Sequence, residues 1–182
     1  MQLDYQIAFD LTARPEQIQP VYGFYALFLA IGFGLLALAM FLQRRRLRSR
    51  NYVLAFSVFW LGFTAFMIFK EIEDTSYIRS QVQRKAFATV EGCLDYFQPG
   101  DPEGSKTTAG NERWSIRGTE FDYGQGEVRR GYHLVEPRGG AVHPHTRVRV
   151  SYVTSDFYGR REIVKLAVAQ RACQPAPHIN SK

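Results

Sequence analysis

Two uncharged apolar runs, separated by nine residues that hold five arginines, constrain this chain more than any other feature. The first, residues 21–42 (VYGFYALFLAIGFGLLALAMFL), has 22 residues. At about 1.5 Å rise per residue, a helix of that length covers a hydrocarbon core of roughly 30 Å. The second, residues 52–69 (YVLAFSVFWLGFTAFMIF), has 18, the short end of the spanning range, with Ile72 close enough to extend it. A soluble protein would have to cover both runs on all sides, and the remaining chain is too small for that. The expectation is a two-helix transmembrane hairpin.

The first run does not read as a cleaved signal peptide. No basic region precedes it, it starts twenty residues in, and no small-residue cleavage pattern follows. Arg44, Arg45, Arg46, Arg48 and Arg50 crowd the connection QRRRLRSRN over residues 43–51. Clustered arginines resist translocation, so this loop is expected in the cytoplasm and both termini outside. The acidic tail 1–20 opposes that orientation little. Neither run carries Asp, Glu, Lys, Arg or His, which removes the usual basis for a proton relay or ion pathway. Ala26, Ala30 and Gly34 repeat every four residues in the first run, and Phe56, Phe59, Phe63 and Phe66 form a bulky stripe in the second. The expectation is that these two faces pack together inside the hairpin, with a docking face for another membrane subunit as the alternative.

Charge is uneven along the chain. The net charge of +6 invites a nucleic-acid reading, but the arginine loop supplies most of it. Residues 86–173 hold 12 Lys/Arg against 11 Asp/Glu, so the domain after the hairpin is near neutral and no nucleic-acid partner is expected. Residues 70–85 read as a helical stalk, and from residue 86 the pattern alternates between Gly-, Pro- and Asp-rich turns. Five strands are expected: 86–97, 112–123, 128–136, 146–154 and 162–170. In the fourth, Val148, Val150 and Tyr152 face one way and Arg147, Arg149 and Ser151 the other. Such a set suggests an all-β domain over 86–173, a small five-stranded antiparallel barrel of the OB or SH3 kind, with Gly92 and Gly118 at points of bending. Residues 174–182 read as a flexible tail.

The strings Val90-Glu-Gly92, Trp114-Ser-Ile-Arg-Gly118-Thr-Glu-Phe121-Asp-Tyr123, Gly139-Gly140 and Val148-Arg-Val-Ser-Tyr152 resemble a pattern in uncharacterised bacterial membrane-anchored β-domains, a domain-of-unknown-function class. The resemblance covers residues 86–170 and is made of fold-determining positions. It implies architecture and a bacterial envelope setting, and no activity.

Cys93 and Cys173 are the two cysteines. In an oxidising compartment they are expected to form a disulfide clamping the end of the domain to its first strand. His143-Pro-His145, with His133 nearby, reads as turn chemistry, because no third ligand stands at metal-site spacing. Glu120 and Asp122 lie two apart on one strand face, as many solvated charges do. No nucleophile elbow, phosphate loop or zinc-protease motif is present, so no catalytic residue, cofactor or metal is expected. Arg117, Arg129, Arg130, Arg147 and Arg149 either form a basic stripe or pair with acids across strands. Trp114, Tyr132, Phe157 and Tyr158 are candidates for a binding face or for core, and the sequence leaves that open. Trp114, Tyr132, Arg147 and Arg149 make up the expected face. The leading expectation is a non-catalytic protein of the bacterial inner membrane whose periplasmic β-domain binds another protein, as an accessory subunit of an envelope complex or an immunity-type protector. The alternative is a module binding an envelope polymer such as peptidoglycan or another glycan, and an envelope enzyme is third.

Overall fold

The computed structural model describes residues 4–20, 22–45, 50–101, 110–124, 130–156, 158–170 and 173. These fall into two compact units: residues 19–77, and a unit that joins residues 1–18 to residues 78–182.

Among the described residues two helices are long and apolar enough to cross a membrane, α1 (Tyr22–Arg44) and α2 (Arg50–Gln83); the first unit holds α1 and α2 as far as Tyr77. Only 11% of the most apolar stretch of each is buried, whereas the core helix of a soluble protein would be mostly enclosed. Their polar side chains are satisfied locally, as an apolar surrounding requires. Ser57 Oγ donates to the Val53 carbonyl at 2.6 Å and Thr64 Oγ1 to that of Trp60 at 2.8 Å. The Trp60 indole N–H donates to the Phe28 carbonyl at 3.0 Å, and the two rings stack at 5.4 Å.

The contact face differs from the expected one. Gly32 and Ala39 are the buried residues of α1, and a Cβ on Gly32 would lie 2.5 Å from Leu61 Cδ2. Gly34 has nothing within 4 Å of that position, and Ala26 and Ala30 are exposed. Phe56, Phe59, Phe63 and Phe66 are about half exposed or more, so the small face and the phenylalanine stripe both lie outside the hairpin contact. The reason is a competing small-residue face offset by two positions, on which Trp60 and Leu61 close.

Helix α2 continues through the polar stretch after residue 69 and ends where Lys85 turns left-handed (φ 54°). Ala86 N–H then reaches the Gln81 carbonyl (2.9 Å) and Lys85 N–H that of Val82 (3.1 Å). This pair of bonds caps the helix and releases the chain into strand geometry.

Among the described residues the β-unit has seven strands: β1 (Tyr5–Asp10), β2 (Ala88–Cys93), β3 (Tyr96–Gln98), β4 (Glu112–Ile116), β5 (Thr119–Tyr123), β6 (Arg147–Thr154) and β7 (Arg161–Ala169). They make a four-stranded sheet in the order β1-β7-β6-β2 and a three-stranded sheet β3-β4-β5, with every pairing antiparallel. The sheets are not closed into a barrel, so the five-stranded closed form is not what the described residues build.

Three local causes explain the difference. The expected strand 86–97 breaks at Leu94 and Asp95, where the chain leaves one sheet for the other: Leu94 N–H bonds to Thr146 while Asp95 N–H bonds to Ser115 on β4. The expected strand 112–123 is a hairpin instead. Arg117 (φ 48°) and Gly118 (φ 75°) are both left-handed between the paired Ile116 and Thr119, the two-residue turn whose twist matches flanking strands. Residues 130–136 of the expected third strand are irregular, and residues 128 and 129 lie outside the described set, as do residues 174–182.

The seventh strand comes from the other end of the chain. Residues 5–10, read as part of a tail, form β1 on the edge of β7, with Tyr5 opposite Ala169, Asp10 opposite Lys165 and a register shift between Ile7 and Phe9. Tyr5, Ile7 and Phe9 alternate with Gln6, Ala8 and Asp10 as a strand would, but six residues carry no sign of a partner strand that lies beyond both helices. The following segment is fixed in the same unit, with Leu11 and Ile18 buried. The Arg79 guanidinium donates to the Ile18 carbonyl through Nε at 3.1 Å and through Nη2.

Both sheets contribute to one core. Trp114, Ile116, Phe121 and Tyr123 from β4 and β5 meet Val148, Val150, Ile163 and Leu166 from β6 and β7, together with Tyr132, Val135 and Val142 from the long connection. Gly92 on β2 permits this approach, since a Cβ there would lie 2.9 Å from Ile116 Cγ2.

Candidate functional site

Trp114 and Tyr132 lie in the core of the β-unit. They are 1% and 7% exposed and belong to a buried polar chain built on β4 and β5. Glu112, Trp114 and Tyr123 project inward because they alternate with Arg113, Ser115 and Asp122 on paired strands. The Trp114 indole N–H donates to the Tyr123 hydroxyl at 3.0 Å, and that hydroxyl donates to Glu112 Oε1 at 2.6 Å. The other Glu112 oxygen accepts the backbone N–H of Glu136, at the head of the 3-10 turn Glu136–Arg138. Tyr132 stands edge-on to Tyr123, ring centroids 5.8 Å apart, and accepts the Ala141 N–H on its hydroxyl at 2.6 Å.

The electrostatics follow from burial. Glu112 is fully enclosed, and desolvation holds its carboxyl above the usual range although Tyr123 and the Glu136 amide favour the ionised form. Desolvation, reinforced by Glu112, drives Tyr123 well above an ordinary phenol. Burial also raises Tyr132. The polar side-chain atoms of Glu112, Trp114 and Tyr123 each have a partner, and with the Ala141 N–H bond to Tyr132 they pin the irregular 132–142 connection onto β4 and β5.

Arg147 and Arg149 are brought together, and with an unexpected partner. They point outward from β6 opposite Cys93 and Glu91 of β2. Arg149 Nε donates to Glu91 Oε2 at 2.7 Å, and Arg147 Nη2 lies 3.6 Å from Glu91 Oε1. The Tyr5 hydroxyl donates to the same carboxylate at 2.7 Å, and the Arg149 guanidinium sits 4.5 Å above the Tyr5 ring. The hydrogen bonds from Tyr5 and Arg149 hold the Glu91 carboxyl below its ordinary range. Burial and the neighbouring Glu91 raise the Tyr5 phenol. The two arginines therefore pair across strands and do not make a free basic stripe.

Cys93 and Cys173 stand at disulfide distance, S–S 1.91 Å and Cα–Cα 6.0 Å across 80 residues of chain. Cys173 N–H also bonds to the His145 carbonyl at 2.7 Å. The histidines sit in loops with separate surroundings: His145 is left-handed (φ 61°), His143 Nδ1 lies 3.4 Å from Glu136 Oε1, and His133 Nδ1 lies 2.8 Å from the Gly131 carbonyl. Among the described residues, no group of three or more His, Cys, Asp or Glu side chains is placed to hold a metal ion. Arg44 and Arg45 are exposed at the end of α1, with Arg45 5.4 Å from the Phe41 ring centre. Arg50 opens α2, while Arg46, Arg48, Arg129 and Phe157 lie outside the described residues.

A different face carries a recess. On the outer side of the three-stranded sheet, Tyr96, Ser115 and Glu120 lie in one cross-strand row and Gln98, Arg113 and Asp122 in the next. Beside these rows lies a depression of about 400 Å³ lined by Tyr96, Arg113, Trp114, Glu120, Phe121 and Asp122. Arg113 Nε bonds to Asp122 Oδ2 at 3.0 Å, and Asn111 Nδ2 donates to Asp122 Oδ1. Tyr96 is 53% exposed, its hydroxyl donating to Gln98 Oε1 at 2.7 Å. Among these residues, sequence reasoning singled out Glu120 and Asp122 as a pair on one face. The signal for the rest was the polar register alternating with Trp114, but it says nothing of which strands pair.

No family model, curated protein or solved structure matches this chain.

Proposed function

We propose that this chain is a bacterial inner-membrane protein in which the α1/α2 hairpin tethers a non-catalytic periplasmic domain that recognises another protein. The observation that supports the tether is the β1–β7 pairing. β1 precedes α1 and β7 follows α2, so the segments on either side of the two helices fold as one unit on one side of whatever the helices cross. That requires an even number of crossings. The arginine-rich connection then falls on the opposite side, where clustered positive charge is retained.

Recognition of a protein is preferred to recognition of an envelope polymer because the aromatic face proposed for a polymer, Trp114 with Tyr132, is closed by burial. The outer face of the three-stranded sheet offers mixed charge around an exposed tyrosine, the make-up of a protein contact surface. The test is purification of the tagged protein from its native membranes in mild detergent, followed by quantitative mass spectrometry. A partner present in stoichiometric amount is expected. Isolation of the chain alone, from membranes of cells grown under several conditions, contradicts the reading.

A further inference from the structure

We infer that the depression on the outer face of β3-β4-β5 receives an arginine side chain of the protein partner, an assignment that rests on the protein-recognition reading above. Three charged lining groups decide the chemistry. Arg113 and Asp122 neutralise one another at 3.0 Å. Asn111 fills the remaining Asp122 oxygen. That leaves Glu120, whose carboxylate bonds to no described group: its backbone carbonyl is engaged by Arg161 at 2.9 Å, and its side chain points outward from β5. The recess thus carries one excess negative charge in a chain whose net charge is +6.

The group facing Glu120 across Ser115 is the Tyr96 ring, two strands away in the same row and half exposed. A carboxylate on one wall and an aromatic ring on the other form a cation receptor. A planar guanidinium can bond the carboxylate through two N–H groups while its face lies on the ring. Lysine offers a point charge and no planar face, so it fits less well. The volume of about 400 Å³ is that of a small ligand site. It accommodates a side chain together with the backbone that presents it. The arginine on the β5 edge, Arg161, reinforces this direction of approach. By occupying the Glu120 carbonyl it blocks strand addition there and leaves the sheet face as the accessible surface.

The test uses the full-length chain in nanodiscs of zwitterionic lipid, so that bilayer charge does not attract the probe. Fluorescently labelled acetyl-(Gly-Arg)3-amide is titrated and followed by anisotropy, with the lysine counterpart alongside. Saturable binding is expected, weakened at least five-fold by Glu120→Gln and at least three-fold by Tyr96→Leu, and the lysine peptide should bind more weakly. Near-ultraviolet circular dichroism of both variants should match the parent, showing an intact core. Equal binding by both variants, or displacement of the peptide by an N-acetylglucosamine trimer, overturns the assignment, the latter pointing to a sugar. The co-purification is then repeated with Glu120→Gln. Loss of a partner that the parent retains supports the site. A partner kept undiminished overturns the site and leaves protein recognition standing, whereas no partner on the parent chain overturns that broader reading.

Discussion

The Tyr5 hydroxyl donates a 2.7 Å hydrogen bond to Glu91 across 86 residues of sequence, and between the two lie both apolar helices. Tyr5 sits on one edge strand of the four-stranded sheet and Glu91 on the other. Small Ala167 and Ala169 on the intervening β7 leave room for the ring to lie across the sheet toward Arg149. Tyr5→Phe should therefore cost about 1 kcal/mol, the usual contribution of a partly exposed bond to a charged acceptor. Chemical denaturation of the chain in detergent, monitored on the core tryptophan, measures it. No change would show that the bond contributes nothing to joining the two ends of the sheet.

Acid should loosen the same contact. The Glu91 carboxyl is held low by Tyr5 and Arg149, and Asp10 is held low by Lys165 and Thr12 although burial opposes this. A carboxyl depressed in the folded state stabilises above its unfolded value near 4.3 for Glu or 3.9 for Asp, and that stability is lost as pH falls through the folded value. Glu112, raised by burial, acts in the opposite direction and gains as it protonates. The Glu91→Gln variant should show a shallower loss of stability between about pH 5 and pH 3 than the parent. An unchanged pH profile contradicts the contact.

Glu112→Ala should be far more damaging. It leaves the Tyr123 hydroxyl and the Glu136 amide without an acceptor inside the core, at a cost of about 3 kcal/mol. Thermal unfolding should report the loss, and protease should cut first in the 132–142 connection, which the carboxylate holds in place. Stability within 1 kcal/mol of the parent would refute this role.

The β4–β5 turn offers a substitution in the stabilising direction. Arg117 occupies a left-handed position that asparagine adopts more readily. Arg117→Asn should raise stability by roughly 0.5–1 kcal/mol, whereas Gly118→Val should lower it by at least about 1 kcal/mol, through backbone strain alone, since its Cβ would meet nothing.

Two glycines of α1 separate the observed hairpin contact from the expected one. Gly32→Val should disrupt the packing of α1 on α2 and lower the melting temperature in detergent. Gly34→Val should leave it within about 1 °C, having open space to fill. The reverse order would restore the Ala26, Ala30 and Gly34 face as the contact.

Hydropathy and charge sufficed for the two helices because apolar length is a property of local sequence. The strands β6 and β7 were legible to within a residue or two, for alternation in RVRVSYVT needs no knowledge of the neighbour. What could not be read was non-local. Nothing in YQIAFD announces that it completes a sheet whose other strands follow Ala86. Trp114 and Tyr123 show the same limit: alternation along one strand puts them on opposite faces, and only the turn at Arg117 and Gly118, the pairing of β4 with β5 and the second sheet bring both into the core. The pairing of Cys93 with Cys173 was accessible from the count, two cysteines allowing one bridge within the chain. The recess was not, because its walls, Tyr96, Arg113 and Glu120, come from three different strands.

The central claim is that the chain before α1 and the chain after α2 share one side of the membrane, with the arginine-rich connection on the other. Single cysteines at Gln2, Ser49 and Ser181, in otherwise native chains whose own two cysteines are joined, can be probed with a membrane-impermeant maleimide on intact spheroplasts. The account predicts labelling at positions 2 and 181 without lysis and at position 49 only after permeabilisation. Labelling of position 49 from outside, or of positions 2 and 181 from opposite sides, would contradict it.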